Sequence, residues 1–196
     1  DVNSGFGESH SWINKIKELK LQGKKIIFVS MGSSSFNAYP LVIDSIINFF
    51  QQKKDKYVLV SNHCGIEKDF KTTPTIFIEQ YINPSEMLPY ADLVITHGGK
   101  NTLNECILHK KPVIGIPEQG EQLWNLKYIE HLGGGKIIFQ EDLQRSPEIL
   151  VKTIEKILSD KDFINNLNKF VENSLEKRDI IDHKESIMSA INKLIS

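Results

Sequence analysis

The sequence predicts an α/β fold: a Rossmann-like, doubly wound parallel sheet of about six strands, with helices on both faces and a helical C-terminal tail. Three observations lead there. Short runs rich in β-branched and aromatic residues alternate with stretches of helical spacing along most of the chain. The strand runs are nearly continuous apolar stretches, the pattern of strands whose two faces are both covered. A length of 196 residues suits one large α/β domain with a real core. Alternation of this kind gives parallel strands joined by right-handed crossovers.

The elements follow in order. SWINKIKELKLQG reads as an amphipathic helix with Trp12, Ile13, Ile16 and Leu19 inward and Gly23 at its end. IIFVS, Ile26 to Ser30, is the first strand, and the turn-like MGSSS follows it. Leu41 to Phe50 has helical spacing and leads through QQKKDK to a second strand, YVLVS. Thr75 to Glu79 is the third strand, and the connection YINPSEMLPYA has room for one short helix. LVIT is the fourth strand, Asn101 to His109 a helix, PVIGIP the fifth strand, and Gln122 to Leu132 another helix. GKIIF is a candidate sixth strand. Beyond Ser146-Pro147, read as N-cap and first helical residue, the chain is helical to its end. One domain is the economical reading: residues 1–24 a lead helix and linker, 25–140 the core, 147–196 the terminal helices.

Composition narrows the function classes. Lys plus Arg number 24 against 25 for Asp plus Glu, a formal net charge of −1, which argues against a nucleic-acid binder relying on a basic footprint. No apolar run approaches the roughly 20 residues of a transmembrane helix, and no signal segment is visible. Cys64 and Cys106 lie far apart without a CxxC spacing, so neither a disulfide framework nor a zinc site is indicated. They read as buried thiols of a reducing compartment, and the expected location is cytoplasmic. The chain opens at Asp1 without a methionine and reads as a piece of a longer protein.

In an open parallel sheet, ligands bind beyond the carboxyl ends of the strands. Two unusual stretches fall there. MGSSS offers Gly32 for close backbone approach and serines for hydrogen bonds to an anion. THGGKNT opens a helix whose free N–H groups and dipole favour a phosphate. His97 beside such an anion could donate a hydrogen bond or carry a proton. Glu105, four residues beyond Asn101, shares its helix face one turn deeper, and a carboxylate there suits the two hydroxyls of a ribose. A second reading of the same turn stands beside this one: glycines that merely make the corner, and Asn101 or Thr102 capping the helix. Neither a P-loop GxxxxGK[ST] nor a GxGxxG fingerprint occurs. The residues alone therefore lead to a nucleotide site and no further.

The stretch from Phe77 to Gly135 carries IEQYINPSEMLPYADLVITHGGKNTLNECILHKKPVIGIPEQGEQLWNLKYIEHLGGG. Taken whole, it resembles the carboxy-terminal, donor-binding half of the UDP-glycosyltransferases, two-domain enzymes of the GT-B fold (family 1-like). VSMGSSS resembles that family's phosphate loop, and SWINKIKE sits where the family often carries a Trp-containing segment.

The resemblance implies roles. Tyr81 stands where many members place a Trp that stacks on the uracil, and the backbone of Ile82 would read the base edge. Ser33, Ser34, His97, Gly98, Gly99, Asn101 and Thr102 would surround the diphosphate, and Glu105 would hold the ribose. Glu121 and Gln122 match the acid–Gln pair that binds the donor sugar. Lys100 replaces a frequent Trp or Met, and Asn83-Pro84 a usual Pro-Gln, so the sugar contact and the preference for uracil over thymine are not implied. No catalytic residue, metal or cofactor is expected in this half; a UDP-sugar enters as donor substrate. The implied activity is inverting, metal-independent transfer of a hexose to an acceptor hydroxyl. Its base and acceptor site would lie in an N-terminal domain, so the chain alone is expected to be inactive. The partner domain belongs to the same chain or to a separate subunit, as in split N-acetylglucosaminyltransferases. A nucleotide-sugar-binding module without a transfer role is the remaining alternative, and a 2-epimerase of this fold is disfavoured because it would need catalytic acids in two halves.

Overall fold

The computed structural model describes residues 9–32, 38–62, 73–79, 82–176 and 191–193. Six strands form one sheet in the order β3-β2-β1-β4-β5-β6, and every pairing is parallel. They are β1 Lys25–Ser30, β2 Tyr57–Asn62, β3 Ile76–Glu79, β4 Leu93–Thr96, β5 Val113–Gly115 and β6 Gly135–Ile137. This is the doubly wound order, and its topological switch point lies between β1 and β4. The expected fold class therefore holds.

Among the described residues the helices are α1 Ser9–Leu21, α2 Ala38–Gln52, α3 Pro84–Met87, α4 Lys100–Leu108, α5 Gly120–His131, α6 Gln140–Arg145, α7 Glu148–Ser159 and α8 Asp162–Glu176. They cover both faces because side chains alternate along each strand. Ile26 and Phe28 of β1 join the core beneath α1, α4, α5 and α8, whereas Ile27 and Val29 join the one beneath α2, α6 and α7. On α1, Ile16 and Leu19 are buried and Trp12 packs at the edge, as the spacing predicts. Cys106 lies fully buried on α4, and burial pushes its thiol pKa far up. Cys64 lies outside the described residues.

Several boundaries differ from the sequence reading. α2 starts at Ala38, three residues before Leu41, because Pro40 is tolerated in a first turn where its missing N–H costs nothing. Beyond Ser146 the helix begins at Glu148, with Pro147 at the cap position, while the Ser146 hydroxyl donates to the Glu148 carboxylate at 3.0 Å. α6 was not anticipated; its six residues bury one apolar side chain, Leu143, too few to leave a periodic signal. The short helix expected in the connection after β3 is α3, capped by Asn83, whose Oδ1 accepts from the Ser85 N–H at 3.1 Å. β5 is three residues long, shorter than PVIGIP; Ile116 still donates its N–H to the Thr96 carbonyl at 2.8 Å, but β4 ends at Thr96 and the chain bends toward α5 from Glu118.

Candidate functional site

The site is built where β1 and β4 end side by side, with Ser30 opposite Thr96. The two chains leave the sheet in loops that carry glycine at the points of closest approach. Gly32 has φ +73°, and a Cβ there would stand 2.6 Å from Cε1 of His97. A Cβ on Gly99 would stand 2.9 Å from His97 Nε2. The imidazole is thus slotted between the two loop backbones, and only glycine on either side leaves it room.

Burial of that ring lowers the His97 pKa below its ordinary value; the charge of Glu118 and the nearby Ser30 carbonyl oppose the shift in part. Its Nδ1 is buried with no hydrogen-bond partner among the described residues. The ring is accordingly neutral near pH 7 and keeps hydrogen-bonding capacity in reserve.

Gly98, at φ +100°, turns the chain from β4 into α4. Its N–H donates to the Thr96 hydroxyl at 3.4 Å, and its carbonyl accepts from Asn125 Nδ2 of α5 at 3.1 Å. A Cβ there would meet Leu126 Cγ at 2.7 Å and the Gln122 carbonyl at 2.8 Å, so α5 packs directly on this turn. α4 then opens at Lys100 with Gly99 as its N-cap and no side-chain cap bond. The capping alternative for Asn101 or Thr102 is thereby overturned, since both lie inside the first turn. Asn101 is exposed and Thr102 half-buried. Among the described residues no side chain caps this helix end, and its first N–H groups point toward where an anion would sit.

Glu105, half-buried one turn along α4, holds its Oε2 3.7 Å from His109 Nε2. Ile82 is buried in the same core as Leu103 of α4. The structure therefore brings His97, Gly98, Gly99, Asn101, Thr102 and Glu105 onto one strand–turn–helix unit facing Gly32. Ser33, Ser34 and Tyr81 lie outside the described residues.

The loop between β5 and α5 flanks this unit. Glu121 is exposed in the first turn of α5. Gln122 is buried, and its Oε1 accepts from the Glu118 and Gln119 N–H groups at 2.8 and 3.1 Å. Its side-chain oxygen is thus engaged in shaping the loop, and Nε2 makes no hydrogen bond among the described residues. A cavity of about 440 Å³ opens beside it, lined in part by Glu118, Gly120, Leu123, Phe139 and Gln140. A larger cavity, about 520 Å³, lies at the opposite end of the sheet against Lys15, Leu19 and Thr75, away from the switch point. Glu118 and Asn125 were missed in the sequence. Each acts through a contact 80 or 27 residues distant, with Ala38 N–H and the Gly98 carbonyl respectively, and such partners leave no local signature.

A doubly wound parallel sheet with glycine-rich turns at its switch point is a Rossmann-like α/β domain. Residues 26–183 match the family described as Glycosyltransferase family 28 C-terminal domain, and the chain belongs to it. An uncharacterized UDP-glucosyltransferase of Bacillus subtilis (strain 168), YdhE, is 26% identical over 180 residues, 90% of this chain and 43% of that protein. A UDP-N-acetylglucosamine–N-acetylmuramyl-(pentapeptide) pyrophosphoryl-undecaprenol N-acetylglucosamine transferase of Prochlorococcus marinus (strain MIT 9215) is 26% identical over 190 residues, 93% of this chain and 52% of that one. The chain spans about half the length of such relatives or less. Among solved structures, the glycotransferase of kitacinnamycin superposes with TM-score 0.70 at 21% identity, covering 88% of this chain and 43% of that one, a likeness of fold. The calicheamicin glycosyltransferase CalG4 gives 0.67 at 18% identity, covering 89% and 44%. The domain is a C-terminal glycosyltransferase domain of the GT-B type. No helix among the described residues is long and apolar enough to cross a membrane.

Proposed function

We propose that this domain binds the nucleoside diphosphate of a UDP-sugar and presents the sugar to an acceptor held by another domain. The observation that carries the reading is the amino-terminal end of α4, which no side chain among the described residues caps, set behind Gly98 and Gly99 and faced by the half-buried ring of His97. Diphosphate oxygens would accept from the α4 backbone N–H groups near Asn101 and Thr102, and Ser33 and Ser34 would approach from the β1 loop. Glu105 would accept from the ribose hydroxyls, with Tyr81 stacked on the base and Ile82 at its edge. Glu121 and the Gln122 Nε2 would meet the sugar.

In transfer, the anomeric carbon–oxygen bond to the diphosphate breaks as the acceptor oxygen attacks from the opposite face, inverting the centre. The α4 end and His97 would offset the charge growing on the leaving diphosphate. The base that removes the acceptor proton would come from the other half, so this chain by itself would bind donor without efficient transfer. That half lies in the same polypeptide or in a partner subunit. Trp124 on α5 is 78% exposed and Phe139 is 40% exposed; both are surfaces that a second half could cover. The reading places the protein in the cytoplasm, with no metal requirement.

Calorimetric titration with UDP tests the site. Wild-type chain is expected to bind saturably, and Glu105→Ala to weaken binding about tenfold, or ~1.4 kcal/mol. Equal affinity in the two proteins would remove the ribose assignment.

His97 supplies a second test. Its pKa in the free domain is depressed, and an adjacent diphosphate would raise it, so binding takes up a proton. UDP affinity is therefore expected to rise about fivefold from about pH 7.5 to about pH 5.5. Titrations of His97→Asn across the same range give the dependence that belongs to UDP itself, and an identical slope in both proteins would remove His97 from the site.

A further inference from the structure

We propose that Glu118 is a positioning residue that locks the two sides of the donor cleft into one frame, joining the first turn of α2 to the loop that opens α5. The proposal rests on the reading of this end of the sheet as the donor site. Ala38, the first residue of α2, is fully buried, so its N–H has no water to turn to. Glu118 Oε1 accepts that N–H at 3.0 Å. Glu118 in turn is held by its own backbone, whose N–H donates to Gln122 Oε1 at 2.8 Å. From the other flank, Gln140 Nε2 donates to the Pro117 carbonyl at 3.4 Å. A single carboxylate therefore ties the first turn of α2 to the β5–α5 loop, directly ahead of the helix turn that carries Glu121 and Gln122.

The same bond gives the two helix ends of the cleft different fates. α2 and α4 both open at the carboxyl end of the sheet, after adjacent strands. The positive end of α2 is already met by an internal carboxylate, whereas that of α4 carries no side-chain cap among the described residues. An anionic ligand is accordingly directed to α4 and kept from α2. The Glu118 charge also opposes the effect of burial on His97, so the residue acts by geometry on one neighbour and by charge on another.

Two substitutions in the full chain separate these effects. Glu118→Gln keeps an oxygen for the Ala38 N–H and discards the charge; Glu118→Ala discards both. Hydrogen exchange of backbone amides, read by NMR on the free protein, is the primary measurement. In Glu118→Ala the Ala38 amide is expected to exchange at least about tenfold faster, together with the amides of Glu118 and Gln119, while Glu118→Gln stays near wild type. The His97 imidazole titration, by contrast, is expected to move to lower pH in both variants. UDP affinity should follow the geometric arm, falling about fivefold or more in the Ala variant and less than about twofold in the Gln variant.

Unchanged Ala38 exchange in Glu118→Ala would overturn the proposal, as would a change confined to Ala38 alone. Equal losses in both variants would also overturn it, since charge and not the bond would then be responsible. Absence of UDP binding by the wild-type chain would count against the donor-site reading alone, because the exchange measurements need no ligand.

Discussion

Gly98→Ala is expected to destabilise the domain by about 3 kcal/mol, lowering Tm by about 9 °C. Two costs combine. The residue sits at φ +100°, where an L side chain is strained by about 1–3 kcal/mol. Its new methyl would also press on Leu126 Cγ at 2.7 Å and on the Gln122 carbonyl at 2.8 Å, so α5 must move away from β4. Leu126 is itself buried to 1% exposure, and Leu126→Ala alone would cost about 3 kcal/mol through the cavity it leaves. The double variant should then lose less than the sum of the two, because removing Leu126 relieves part of the clash. The Gln122 carbonyl and the φ strain remain, so relief should be partial. Thermal unfolding of the two singles and the double closes the cycle, and strict additivity would mean that α5 does not bear on this turn.

Gly32→Ala is expected to weaken UDP binding at least about tenfold while costing about 1–2 kcal/mol of stability. At φ +73° the new Cβ would stand 2.6 Å from His97 Cε1, and the ring must leave its slot. The ring belongs to a side chain that can rotate, so the fold suffers less than the site does. Gly99→Ala is the informative comparison. Its φ of −62° carries no strain, yet its Cβ would stand 2.9 Å from Nε2 on the other side of the same ring. If displacement of the imidazole is what matters, both variants lose affinity and both shift the His97 NMR resonances, while Gly32→Ala alone pays the backbone penalty. Full affinity in both would mean that His97 contributes nothing to binding.

Much of the site was legible because it is local. A strand followed at once by the turn His97-Gly98-Gly99 and a helix carrying Glu105 one turn inside form a single continuous unit, so spacing alone fixes their relation. The parallel sheet was legible for a similar reason: continuous apolar runs separated by helical spacing admit few other topologies. The cap at Asn101 or Thr102 was misplaced because side-chain chemistry favours those residues, whereas the actual cap is fixed by the β-region backbone of Gly99 at the exit from β4. Gln122 reads in the sequence as a sugar-binding residue; what the structure shows is a loop clamp, a role set by where the Glu118 and Gln119 N–H groups point after the chain turns.

The sequence by itself determined the succession of the six strands and of the longer helices between them, the glycines at the two turns and the face shared by Asn101 and Glu105. These follow from covalent spacing and backbone preference, which act over a few residues. Only the tertiary structure decided that Gly32 and Gly99 grip one imidazole, that Asn125 holds the Gly98 carbonyl, and that Glu118 reaches Ala38. Each of those contacts depends on β1, β4 and β5 lying side by side, and strand order is set by burial of the whole sheet rather than by any residue within it.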